Sequence, residues 1–134
     1  MPVPGLPNPL VSIHLKNVSI HTNHGVSEAE REVGQRMIFS VDLILPECPA
    51  TETDELEGTI DYGAVTELLV ETATETGYLT LERLANVIAG RMLENFDATW
   101  VKVSAAKPEP PIPVNMDFAG VEVTLTREPG TDAT

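Results

Sequence analysis

QRMIFSVDLIL, residues 35–45, alternates between apolar and polar positions. Met37, Phe39, Val41, Leu43 and Leu45 fall on one side of an extended chain, and Arg36, Ser40 and Asp42 fall on the other. Such a stretch reads as a strand with one buried face, and the rest of the domain must supply the cover. Upstream, residues 11–21 read as a partner strand. Val11, Ile13 and Leu15 alternate, then Val18 and Ile20 continue on the other parity, so a bulge is expected at Lys16-Asn17. The connection NHGVSEAEREVG is polar with Gly near both ends, and reads as a long loop joining two antiparallel strands.

Downstream of a Pro-, Thr- and acid-rich loop over residues 46–58, the period becomes helical. Val65, Leu68, Leu69 and Thr72 share a face, with Glu67, Glu71 and Glu75 outward. Asp61 is the expected cap and Gly77 the expected stop. Thr80 caps a second helix whose stripe is Leu84, Ala85, Ile88, Met92 and Leu93. Residues 100–106 and 119–126 return to strand alternation, with Val101 and Val103, then Val121, Val123 and Leu125, on the apolar side. The order ββααββ implies an α+β fold, two helices packed on one face of a four-stranded antiparallel sheet. Its edge strands must be covered or paired, and joining edges between subunits into a barrel is one solution.

The chain has 134 residues, one domain's worth. Residues 1–9 hold four prolines and read as an extended lead; residues 10–127 form the domain; residues 128–134 read as a flexible tail. The net charge of −13 excludes a nucleic-acid surface. No apolar run reaches the roughly 20 residues of a membrane span, and no signal peptide is evident. With a single cysteine, Cys48, a reduced cytoplasmic setting is expected.

Few sites are offered. His14, His21 and His24 lack partners at metal-ligand spacing. Cys48 has no base beside it. There is no glycine-rich phosphate loop and no GxSxG elbow. Four polar residues stand at element ends: Glu30 between the first two strands, Tyr62 at the start of the first helix, Glu82 next to Leu81 in the second, and Lys107 closing the third strand before Pro108. Each alone is compatible with ordinary solvated surface.

Taken in order, GV-x3-E-x4-Q, TDEL-x4-DY, LER-x2-N-x-IA, KPEPPIP and GVEVTLTR resemble the dihydroneopterin aldolases, over about residues 12–127. The resemblance implies a T-fold whose sheets join between subunits into a barrel of four, two rings making an octamer, with sites between neighbours. It implies retro-aldol cleavage of 7,8-dihydroneopterin, with no metal and no cofactor. It implies Glu82, with Leu81, as the pterin-binding position, Lys107 as the catalytic amine, Tyr62 as a proton carrier from the neighbouring subunit, and Glu30 as the carboxylate orienting Lys107 or a water. Two alternatives stay open. One is the epimerase acting on dihydroneopterin triphosphate, disfavoured because an acidic chain offers that substrate little beyond Arg31, Arg36 and Lys102. The other is a non-catalytic pterin- or purine-binding barrel. The proline lead and HTNH before Gly25 lie outside the family pattern.

Overall fold

The structure, a computed structural model, describes residues 9–127. The proline lead lies outside these residues except for Pro9, and the expected tail lies wholly outside them. Four strands form one antiparallel sheet in the order β1 (Ser12–Thr22), β2 (Gln35–Ile44), β3 (Trp100–Lys107), β4 (Ala119–Thr126). Two long helices, α3 (Tyr62–Glu75) and α4 (Leu81–Asn95), connect β2 to β3.

The register shows why β2 decides the fold. Phe39 lies between Val18 of β1 and Ala105 of β3, and Val41 between Leu15 and Val103. Met37, Phe39, Val41, Leu43 and Leu45 are each at most 3% exposed. Val65, Leu69, Leu84, Ile88 and Met92 close over them from the helices. The bulge occurs where the parity shift requires it. Leu15 pairs with Val41 but Val18 with Phe39, and Asn17 takes up the extra residue at φ 56°. Its N–H then bonds to Ser40 Oγ at 3.0 Å instead of to the ladder.

The helices start where expected. Asp61 accepts from the Gly63 N–H and Thr80 from the Arg83 N–H. The end of α3 also falls where expected: Glu75 is its last residue, Thr76 the cap and Gly77 the residue that follows the cap. Two differences are additions. The connection expected as loop contains the short helix α1 (Glu28–Val33), and the acidic loop contains α2 (Ala50–Thr53) and a 3₁₀ turn, Leu56–Gly58. Ser27 nucleates α1: its hydroxyl accepts from the Glu30 N–H, and the Glu30 carboxylate accepts from the Ser27 N–H.

Arg127 fastens the far end. Its guanidinium donates to the carbonyls of Ala98, Phe96 and Leu93, tying β4 to the C-terminus of α4. Among the described residues, neither long helix covers the other sheet face. There Asp42 is only 4% exposed, because His14 and Lys16 reach across from β1 to its carboxylate at 2.5 and 2.7 Å.

Truncating Phe39 to Ala removes the largest fully buried side chain. Urea denaturation should show a loss of about 3–5 kcal/mol. A loss below about 1 kcal/mol would mean that the sheet–helix interface is not the main core.

Candidate active site

The site begins with a lysine that alternation turns inward. Lys107 has the parity of Val101, Val103 and Ala105, so it points to the helix-covered side and is 9% exposed. An amine there needs a charge partner. Its Nζ donates to Glu30 Oε2 at 2.5 Å.

Glu30 is brought to that point by α1, and its oxygens are otherwise fully engaged. Oε1 accepts from Ser27 Oγ at 2.9 Å and from the Ser27 N–H at 3.3 Å, and Oε2 also accepts from Gln35 Nε2 at 2.8 Å. Burial opposes ionisation of this carboxyl. The hydrogen bonds from Lys107, Ser27 and Gln35 outweigh it and lower the pKa to about 2. Glu30 is therefore a carboxylate throughout the neutral range, an anchor for the amine rather than a proton reservoir. Gly25 clears the space: a Cβ there would lie 2.5 Å from the Glu30 carboxyl carbon. Arg31 straps the same loop, donating to the carbonyls of Gly25 at 2.8 Å and Val26 at 2.7 Å.

Behind the pair lies His24, with no exposed surface. A carbonyl can only accept, so Nε2 carries the proton and donates to Ala73 O at 2.8 Å. Nδ1 then accepts the Tyr78 N–H at 2.9 Å. Burial pushes the ring's pKa down; the Ala73 bond opposes this and the nearby Lys107 charge adds to it. The neutral ring stacks on Tyr78 with centroids 5.9 Å apart.

The structure thus brings Lys107 and Glu30 together. It places the other expected residues at two helix starts. Glu82 is an exposed residue in the first turn of α4, beside half-covered Leu81. Tyr62 is the first residue of α3 and 68% exposed. Sequence reading assigned no site role to the supports Ser27, Gln35, Arg31 and His24. The signal for the first was present, since SEAE carries the S-x-x-E capping pattern. The three histidines do not converge. His14 binds Asp42 on the open sheet face and His24 is locked in the core. A cleft of about 510 Å³, lined by Ile38, Ser40, Ser104, Ala106, Phe118 and Glu122, also belongs to the open face, on the side of the sheet away from Lys107.

The family model described as FolB: Dihydroneopterin aldolase matches residues 13–124, and the chain belongs to the dihydroneopterin aldolase family. A dihydroneopterin aldolase of Streptomyces coelicolor is 34% identical over 115 residues, covering 86% of this chain and 97% of the relative. That of Methylorubrum extorquens is 30% identical over 116 residues, covering 86% and 89%. Two solved structures share the fold. Escherichia coli dihydroneopterin aldolase in complex with neopterin superposes with a TM-score of 0.78 at 21% identity, covering 86% of this chain and 98% of that one. The Burkholderia thailendensis enzyme bound to guanine gives 0.73 at 25% identity, covering 89% and 93%.

The Glu30 pKa has a consequence for stability. The folded value lies below the ordinary 4.5, so the stabilisation is complete above pH 4.5 and is lost as pH falls toward 2. Glu30→Gln should flatten the thermal-melt profile across that window. A variant profile parallel to the parent's there would show that the pair contributes nothing to folding.

Proposed function

We propose that this chain cleaves 7,8-dihydroneopterin into 6-hydroxymethyl-7,8-dihydropterin and glycolaldehyde. One observation carries the reading: a buried amine held at 2.5 Å by a carboxylate that stays ionised. Family membership and the aldolase relatives support it.

The chemistry asks for little more than placed protons. The hydroxyl on the second side-chain carbon loses its proton and becomes the aldehyde carbonyl as the bond between the first and second carbons breaks, and the second and third carbons leave together as glycolaldehyde. The bonding electrons move into the ring C=N beside the side chain. The enamine so formed takes a proton on the first carbon, giving the hydroxymethyl product. The substrate is its own electron sink, so the protein supplies proton transfer and geometry. Lys107 hydrogen-bonds the ring nitrogen that gathers charge, and Glu30 fixes the direction of its Nζ. Tyr62, exposed at the start of α3, serves the side-chain hydroxyl of a substrate bound to the adjoining subunit.

Glu82 and Leu81 hold the pterin. The pterin ring presents an amino group beside a ring N–H, and a carboxylate can accept both at once. Guanine, found in the Burkholderia relative, presents the same edge. Because β1 and β4 each have a sheet neighbour on one side only, four copies can close a barrel edge to edge. Ile112, Val114, Met116 and Phe118, exposed between β3 and β4, supply apolar surface for subunit contacts, and two rings make the octamer. No helix among the described residues is long and apolar enough to cross a membrane, and the setting proposed is the cytoplasm.

The test is direct. Incubated with 7,8-dihydroneopterin and EDTA, the protein should release glycolaldehyde; none released would reject the reading. Lys107→Ala should still bind the pterin product while turning over at least ~100-fold more slowly. Wild-type turnover in that variant would remove Lys107 from the chemistry. Glu82→Gln should weaken pterin binding roughly 10- to 100-fold, read by titration calorimetry. Unchanged affinity would remove Glu82 from the clamp.

A further inference from the structure

His24 belongs to none of the catalytic roles above, yet it is the most completely engaged polar side chain behind the site. Both ring nitrogens bond to backbone, and to two different places: the Ala73 carbonyl near the end of α3, and the Tyr78 N–H in the linker 76–80. The next residue doubles the second connection, because the Gly25 N–H donates to the Tyr78 carbonyl at 3.0 Å. Residues 24–25 and Tyr78 are thereby joined by two bonds. On one side of this joint, Gly25 lies directly against the Glu30 carboxylate that holds Lys107. On the other, Tyr78 is three residues from Leu81 and four from Glu82. Arg83, in the first turn of α4, sits over the Tyr78 ring at 5.6 Å and holds it from α4.

We propose that His24 is a positioning residue: through its bond to Tyr78 it sets the spacing between the Lys107–Glu30 pair and the pterin-holding start of α4. The proposal rests on the aldolase reading. The substrate's ring is held at one end of this span and reacts at the other. An error of about 1 Å in such a span costs on the order of 100-fold in rate. An apolar residue could fill the same volume, but it would leave the Tyr78 N–H without its acceptor and the linker free to shift. The neutral tautomer matters because only an unprotonated Nδ1 accepts. The charged groups around it are Lys107 from β3 with its partner Glu30 from α1, and Arg83 from α4 across Tyr78; α3 contributes the Ala73 carbonyl.

Two substitutions separate positioning from space-filling. In His24→Asn, the amide oxygen takes the place of Nδ1 and keeps an acceptor for Tyr78, but the reach to Ala73 is lost. In His24→Gln, the amide nitrogen takes the place of Nε2 and keeps the Ala73 bond, but the acceptor is lost. Three quantities are read on the full chain: kcat with 7,8-dihydroneopterin, affinity for the pterin product, and hydrogen exchange of the 76–80 segment by mass spectrometry. His24→Gln should lose roughly 10- to 100-fold in kcat with product affinity within about 3-fold. Its 76–80 amides should exchange about 10-fold or more faster. His24→Asn should stay within about 5-fold of the parent in kcat and keep the protection. Equal loss in both variants, or unchanged exchange in His24→Gln, overturns the proposal. A parent that releases no glycolaldehyde rejects the aldolase reading and the kinetic half of the proposal, while the exchange measurement still decides the joint itself.

Discussion

A lysine at the end of β3 points into the domain, and the architecture around it follows from the need to neutralise it. A buried amine without a partner costs several kcal/mol. The carboxylate that meets it lies 77 residues earlier in the chain, so the β1–β2 connection must fold back over the end of the sheet. A one-and-a-half-turn helix does this. Ser27 starts α1, Gly25 leaves room for the carboxylate, Arg31 ties down the approach, and Gln35 holds the second oxygen from the first residue of β2. The same Glu30 that satisfies the amine also completes the helix cap, so the electrostatics of the site and the local fold rest on a single side chain.

The two faces of the sheet do different work. The helix-covered face holds the apolar core and, at its rim, the Lys107–Glu30 ion pair. The open face gathers basic side chains in a chain that is otherwise strongly acidic. Lys16, Lys102 and His14 surround Asp42, and Lys102 also reaches Glu122 at 3.7 Å. Burial disfavours charge on Asp42, but hydrogen bonds from Lys16 and His14 hold its pKa below the ordinary value.

What could be read from the sequence followed from periodicity. The alternation of residues 35–45, the parity change at Lys16-Asn17 and the caps at Asp61 and Thr80 are local signals, and each has a local physical cause. The helix α1 escaped because six residues carry too little period to register, although its S-x-x-E start was visible. For the site, residue type and element position brought out Lys107 and Glu30, but the 2.5 Å contact between them is a property of the tertiary fold. His24 could not be assigned at all. Its partners are backbone groups, which leave no mark on the sequence, and they lie 49 and 54 residues away. Asp42 read as an outward polar residue for the same reason: its cover comes from side chains on a neighbouring strand.

The extra residue in β1 gives that strand an asymmetric tolerance of length change. Shortening the chain by one at Lys16 or Asn17 would merge the two halves into a regular ladder, with Ile13 and Leu15 still opposite Leu43 and Val41, and Val18 still opposite Phe39. The same loss a few positions to either side would turn half of the strand inside out, exchanging its oily side for its wet one. Descendants of this sequence therefore have one place on their outermost ribbon where a codon can vanish without disturbing which side chains face inward. The loss there would be a bend, and with it the sideways reach of the Asn17 amide toward Ser40.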